Sequence, residues 1–257
     1  MARLQDKVII VTGSSSGFGR GIAKACAAEG AKIVVSDVHE KPNTGGFEAD
    51  ATLTTAETIE KAGGRAVYVN CDVTKSDEVA NLVAETVKAF GRLDVMINNA
   101  GLGGTRSVLE MTDDEWSRVL DVTLNGTFRC TRAALKRLVE QGDGGAIVNN
   151  ASVVGWRSQA GQAHYAAAKA AVMALTRCAA ADVASHGIRV NAVAPSLAMH
   201  PFLAKVTGEE LLAELAGREA FGRAAQPWEV ANAMVFLASD YASYLTGEVL
   251  SVSSQHP

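Results

Sequence analysis

Along the chain, short runs rich in valine and isoleucine alternate with longer stretches whose apolar positions recur at helical spacing. The runs fall at 8–11, 33–35, 66–69, 93–97, 146–148, 188–190 and 249–252, seven predicted strands in all. The first six are apolar on both faces, the pattern of strands covered by helices above and below. Helical periodicity occupies roughly 17–29, 52–62, 76–90, 112–140, 162–185 and 227–239. Thr112 followed by Glu115 offers a capping box, Ser76 an N-cap hydroxyl, and Pro227 suits a first helical turn. This alternation predicts βαβ units and an α/β fold: one doubly wound domain over residues 1–257, built on a seven-stranded parallel sheet. Two connections are long, 38–51 and 195 to about 207, and loops of such length in a compact domain serve as lids or binding segments.

With 257 residues, 48% of them hydrophobic, the chain can bury a large core. The net charge of -4 comes from 24 basic and 28 acidic side chains mixed along the chain, with no basic run to track a phosphate backbone. Nucleic acid is therefore excluded as a partner. Residues 1–7 lack the apolar core of a signal peptide, and 8–11 is too short to span a bilayer, so a cytoplasmic protein with no membrane partner is expected. Cys26, Cys71, Cys130 and Cys178 are widely spaced and form no C-x-x-C pair. They read as buried reduced thiols rather than disulfides or zinc ligands, and no metal is expected.

Directly after the first strand, Thr12-Gly13-Ser14-Ser15-Ser16-Gly17-Phe18-Gly19 opens a helix. Glycines there let the backbone approach a diphosphate, and the helix N-terminus supplies oriented N–H donors. Gly13, Ser15, Ser16, Gly17, Phe18 and Gly19 are thus candidate cofactor contacts. Asp37 ends the second strand, roughly twenty residues past the loop, where a carboxylate can accept from both hydroxyls of an adenosine ribose. A 2′-phosphate would meet like charge, and neither Ser16 nor a direct neighbour of Asp37 is basic, so NAD is favoured over NADP. A solvent-facing acid at a strand end is the other reading of Asp37.

In the alanine-rich stretch that follows the fifth strand, Tyr165 and Lys169 stand at i and i+4 and share one helix face. A phenol of pKa about 10 is a poor base at neutral pH, and a neighbouring ammonium stabilises its phenolate. Ser152, at the end of the fifth strand, can polarise a substrate oxygen. Tyr-x-x-x-Lys alone is a common coincidence. Here it follows a strand-end serine in a chain that also carries the glycine loop and Asn98-Asn99-Ala100-Gly101 after the fourth strand.

On these motifs the sequence resembles the short-chain dehydrogenase/reductase family over essentially its whole length. The resemblance implies a Rossmann-type domain, an NAD(P)-dependent oxidoreductase interconverting a secondary hydroxyl and a ketone, and a small-molecule substrate. It implies catalytic roles for Ser152, Tyr165 and Lys169, with Tyr165 as acid/base and Lys169 also on the nicotinamide ribose. It implies adenine contacts from Asp72 and Val73, a cofactor border at Asn99, Ala100, Gly101 and Pro195, and a homotetramer or homodimer.

Two positions depart from the family pattern. Where the family has a catalytic asparagine holding a proton-relay water, this chain has Thr123; Asn125, two residues on, lies roughly 200° around a helix. Thr123 or a bound water is expected to complete the relay. His200 stands where a threonine often approaches the cofactor, and reads either as a cofactor or substrate contact or as a solvent-facing histidine.

Segments 147–157, 196–203, 221–230 and 251–257 resemble bacterial reductases of steroid-ring degradation, which act on a ring hydroxyl or ketone of an indane-type acid carried as its coenzyme A thioester. Residues 37–60 do not share that likeness. Trp156, Arg157 and His164 fall between the catalytic serine and tyrosine and are candidate substrate contacts; Arg157 also reads as a surface charge and Trp156 as a subunit contact. Met199, Phe202 and Leu203 suit either an apolar lid or subunit packing. The rival readings are a 3-oxoacyl thioester reductase, a polyol or sugar dehydrogenase, and a dinucleotide-binding regulatory protein without catalysis.

Overall fold

Every position of Val8–Thr12 (β1) is buried, which for a strand means covered faces on both sides. The computed structural model describes residues 2–43, 52–199 and 209–254. Around β1 lie β2 (Lys32–Asp37), β3 (Arg65–Asn70), β4 (Val95–Asn98), β5 (Gly145–Asn150), β6 (Ile188–Pro195) and β7 (Val249–Val252). All pair in parallel, in the order β3-β2-β1-β4-β5-β6-β7. The expected seven-stranded sheet is therefore present. Its order reverses between β1 and β4, and that reversal opens a crevice at the carboxyl ends of the strands.

Successive strand residues feed opposite layers. Ile9, Val11, Ile33 and Val35 pack with Ile22, Cys26 and Met234 against α1 (Gly17–Ala28), α2 (Thr55–Lys61) and α8 (Pro227–Ala238). Ile10, Val34, Met96 and Ile147 pack with Leu82, Leu138 and Ala180 against α3 (Ser76–Phe90), α5 (Gly126–Gln141) and α6 (Ala163–Val183).

The predicted helix over 112–140 is interrupted. Its first part is α4 (Asp113–Leu120), opened by the expected Thr112–Glu115 capping box; a π-helical turn, Asp121–Asn125, then separates it from α5. Such a turn inserts one residue and rotates everything after it. Lys75, not Ser76, holds the N-cap position of α3, so the hydroxyl assigned there caps nothing. A further helix, α7 (Glu209–Arg218), follows the second long connection, where no helix was expected. His200, Phe202 and Leu203 lie outside the described residues, as does most of the 38–51 connection. Three of the cysteines are buried as expected, and burial pushes the Cys26 and Cys71 thiols up to about 12; Cys178 is instead exposed. Among the described residues no helix is long and apolar enough to cross a membrane, and no cluster of His, Cys, Asp or Glu could hold a metal.

A buried polar ladder runs beneath the crevice. Asn98 and Asn149 are register partners at the ends of β4 and β5, and Asn98 Nδ2 donates to Asn149 Oδ1 at 2.8 Å. Asn98 Nδ2 also reaches Thr131 Oγ1 of α5 at 2.9 Å, and Asn149 Nδ2 reaches Thr176 Oγ1 of α6 at 2.9 Å. Two helices are thereby pinned to two strands through side chains that water cannot serve. Asn149→Leu should cost about 1–3 kcal/mol through unsatisfied buried partners, read as a lower urea midpoint at unchanged m-value.

Candidate active site

The phosphate-loop reading rests on space. Gly13 has φ +64°, and a Cβ there would sit 2.9 Å from Ala100 Cα. A Cβ on Gly19 would collide with the Gly13 carbonyl and lie 2.6 Å from Asn99 Nδ2. The loop thus folds flat against the end of β4, held by Thr12 Oγ1, which accepts the N–H groups of Asn99 and Ala100 at 3.1 Å each. Ser16 is the N-cap residue of α1 but its side chain makes no cap bond, accepting instead the Asn43 N–H at 2.7 Å. Ser15 Oγ is buried with no protein partner. A flat glycine backbone, a helix N-terminus without a side-chain cap and an orphaned hydroxyl together fit a dinucleotide diphosphate.

Asp37 is not the solvent-facing acid of the alternative reading. Its carboxylate is half-buried and accepts from Ser15 N at 3.1 Å and Val38 N at 2.8 Å, while burial, the largest influence, raises its pKa. The acid is therefore fastened to the loop it would serve. Asp72 accepts the Thr74 N–H and hydroxyl at 2.9 and 2.7 Å, and Val73 is buried beside Gly126. Pro195 is the last residue of β6.

Ser152, Tyr165 and Lys169 come together as the sequence implied. Ser152 follows β5, Tyr165 lies in the first turn of α6, and the Lys169 ammonium lies 5.5 Å from the Tyr165 ring centre. One expectation is corrected: in the protein alone Tyr165 is raised, not lowered. Burial pushes it up, and a hydrogen bond with Ser152 pulls the other way. Lys169 does not offset this, because its ammonium donates to the Asn150 carbonyl at 2.5 Å rather than to the phenol. Burial pushes Lys169 itself down to about 8.

Thr123 is brought to the site but turned from it. Its hydroxyl donates to the Leu102 carbonyl at 3.0 Å and accepts the Leu102 N–H at 3.0 Å, and its own carbonyl accepts the Thr127 hydroxyl at 2.8 Å. A hydroxyl has one proton, and this one is committed, so Thr123 Oγ1 has none left to pass along a relay. Asn125 is exposed and donates to Asp121 Oδ1 at 3.1 Å, so it does not take over either.

Among the substrate candidates, His164 is buried, its Nδ1 accepting the Tyr165 N–H at 2.9 Å. Trp156 is 41% exposed and Arg157 lies on the surface beside it. Gly101 and Leu102 lead into Gly103 and Gly104; a Cβ on Gly103 would meet the Tyr165 ring at 3.7 Å, and one on Gly104 would meet His164 Nε2 at 3.4 Å. Sequence reasoning did not single out Asn150, whose backbone holds Lys169 and whose Nδ2 donates to Asn99 Oδ1 at 3.0 Å. The available signal was the asparagine doublet closing two successive strands, 98–99 and 149–150.

A family model described as enoyl-(acyl carrier protein) reductase matches residues 13–254. A Mycobacterium tuberculosis protein named (5R,7aS)-5-hydroxy-7a-methyl-1-oxo-2,3,5,6,7,7a-hexahydro-1H-indene-carboxyl-CoA reductase is 55% identical over 255 residues, covering 99% of this chain and 94% of that one. A cis-4-hydroxycyclohexanecarboxylate dehydrogenase of Sinomonas cyclohexanicum is 41% identical over 248 residues, covering 96% and 95%. The crystal structure of a short chain dehydrogenase from Mycobacterium smegmatis is similar with a TM-score of 0.85 at 47% identity, covering 100% of this chain and 95% of that one.

The crowding at Gly19 yields a direct check. Gly19→Ala must displace the Gly13 carbonyl, so NADH affinity, followed by fluorescence titration, should weaken at least roughly tenfold, the equivalent of about 1.4 kcal/mol.

Proposed function

The chain belongs to the short-chain dehydrogenase/reductase family, and from that premise we propose that it reduces a ring ketone, or oxidises the matching secondary alcohol, on a cyclic steroid-derived acid or its coenzyme A thioester, using NAD(H). It is an oxidoreductase acting on hydroxyl and ketone groups. The observation that carries the mechanistic reading is Lys169 buried beside the tyrosine ring, its ammonium 5.5 Å from the ring centre, with Ser152 holding the phenol's pKa down against burial. The substrate class is supported by the two named relatives, both of which act on carboxylated rings, and by an indole at Trp156 four residues past the serine. The preference for NAD is supported by Asp37, whose carboxylate would oppose a 2′-phosphate with like charge. A homotetramer or homodimer in the cytoplasm is part of the same reading, supported by the exposed Trp116 and Phe128 on α4 and α5.

The glycine loop and Asp37 would hold a nicotinamide dinucleotide, which when bound would supply the hydride chemistry at the carbon that changes oxidation state. The protein's part is proton chemistry. In reduction Tyr165 Oη gives its proton to the carbonyl oxygen; in oxidation it takes the proton of the hydroxyl. Ser152 Oγ donates to the same oxygen and offsets the charge that develops there. Burial, which raises the phenol pKa, keeps Tyr165 in the protonated form that donates to the carbonyl oxygen.

The test is an NADH absorbance assay on a panel of cyclic keto acids and their coenzyme A thioesters, with acetoacetyl-CoA as the contrasting substrate. Ring substrates should turn over with NADH at least roughly tenfold better in kcat/KM than with NADPH, a preference that Asp37→Ala should erode. Tyr165→Phe should lower kcat by about a thousandfold or more while leaving NADH affinity intact. Preferential turnover of acetoacetyl-CoA with NADPH would replace this reading with a 3-oxoacyl thioester reductase.

A further inference from the structure

The pairing of β2 with β3 ends at Asp37 and Asn70, followed by one more backbone bond from Cys71 N to the Asp37 carbonyl at 3.1 Å. Past that point the chain leaves the sheet, directly after the residue whose carboxylate would accept from an adenosine ribose. A strand end without a neighbour frays, and a frayed end does not hold a carboxylate in one place. Side chains of β3 take over where the ladder stops.

Tyr68 and Asn70 stand two apart on β3 and so project from one face of it. The Tyr68 hydroxyl donates to the Asp37 carbonyl at 2.9 Å. Asn70 Nδ2 has two protons, and its two shorter bonds use both: it donates to the Val38 carbonyl at 2.9 Å and to the Tyr68 oxygen at 3.1 Å, with the Asp37 carbonyl a longer contact at 3.4 Å. The Asn70 amide thus gives Val38 the rung that a backbone N–H would have made. Val38 in turn donates its own N–H to Asp37 Oδ1 at 2.8 Å, while Ser15 N donates to Oδ2 at 3.1 Å. The carboxylate therefore has one anchor in the glycine loop and a second in a peptide that β3 holds. Burial, the largest influence on Tyr68, raises its pKa and keeps the hydroxyl a donor.

We propose that Asn70 and Tyr68 are positioning residues for the choice of cofactor: by pinning the 37–38 peptide they keep the Asp37 carboxylate where it accepts from the ribose hydroxyls and opposes a 2′-phosphate. The segment they restrain continues into His39 and Lys41, both exposed. Released from β3, it lets the carboxylate turn aside and brings two basic side chains that a phosphate attracts. Loss of the pin therefore acts on the two dinucleotides in opposite senses. The inference rests on the NAD reading for the ligand it concerns, whereas the pin itself is measured in the protein alone.

Asn70→Leu, nearly isosteric but without a donor, and Tyr68→Phe, which loses only the hydroxyl, test this through binding. NADH and NADPH are titrated by fluorescence into the full chain. The NADH dissociation constant should rise roughly fivefold in Asn70→Leu, the weight of one partly exposed hydrogen bond, and in the same direction in Tyr68→Phe, while NADPH binding holds or tightens. Without cofactor, the Val38 amide should exchange with deuterium at least roughly tenfold faster in Asn70→Leu, followed by NMR. In the ring-ketone assay the KM for NADH should rise with its dissociation constant while kcat at saturating NADH changes little, a split that general loss of structure does not produce. Equal weakening of NADH and NADPH in both variants overturns the proposal, as does a Val38 amide that exchanges at the wild-type rate in Asn70→Leu. Should Asn70→Leu fail to fold, the ratio of the two affinities in Tyr68→Phe decides alone. Wild-type protein that binds NADPH more tightly than NADH overturns the NAD reading instead, and a further shift towards NADPH in Asn70→Leu then leaves the Asn70 assignment standing.

Discussion

Two asparagine pairs clamp the carboxyl end of β4 to that of β5, and the crevice between them takes its shape from that clamp. Asn98 and Asn149 sit in register, and the residues that follow them, Asn99 and Asn150, are joined side chain to side chain. The Asn98–Asn149 bond extends to Thr131 and Thr176 and anchors α5 and α6. The Asn99–Asn150 bond extends to the carbonyls of Thr12 and Gly13 and anchors the glycine loop. Tyr165 and Lys169 belong to a helix held by the first pair, and the cofactor loop is held by the second. The separation of Tyr165 and Lys169 from the glycine loop is therefore governed by four amides at the ends of two hydrogen-bonded strands, elements that do not slide.

Burial acts on the site's ionisable groups in one sense, against charge. It raises Tyr165 and Asp37 and lowers Lys169 to about 8. Hydrogen bonds work in the contrary sense: Ser152 on the phenol, and the Ser15 and Val38 amides on the carboxylate. Where apolar walls exclude water, a hydrogen bond carries more weight than it does in solution. Small rearrangements of Ser152 or Asn150 thus have leverage on protonation that surface groups lack. The expectation that an i, i+4 ammonium would lower the tyrosine neglected this geometry, since sharing a helix face does not place the ammonium at the phenol oxygen.

Much of the architecture was legible because it follows from periodicity. Runs apolar on both faces could only be parallel strands under two helical layers, and the glycines at 13 and 19 stand where a Cβ has no room. What stayed hidden depends on one-residue differences. A π-turn at Asp121–Asn125 adds a single residue, which helical spacing averages away, and it leaves Asn125 exposed and Thr123 facing inward. Ser76 and Lys75 differ by one step, yet only backbone geometry decides which is the cap. Cys178 sits in an alanine-rich helix whose apolar residues run around most of its circumference, so its composition did not reveal the outward face. Asn150 was invisible for another reason: its part is played through a backbone carbonyl that any residue possesses.

Thr123 also bears on the segment that passes Tyr165 and His164. A threonine hydroxyl, short and able both to donate and to accept, closes a two-bond clasp on Leu102. Leu102 is followed by Gly103 and Gly104, which pass the Tyr165 ring and His164 at contact distance. Those glycines have no side chains to wedge themselves in place, so their position must come from an anchor at the start of the segment, and the clasp is that anchor. Because the clasp fixes the loop, the tyrosine ring and the buried His164 keep one spacing from it. Thr123 thus acts on the surroundings of Tyr165 through a backbone it holds rather than through a proton it passes.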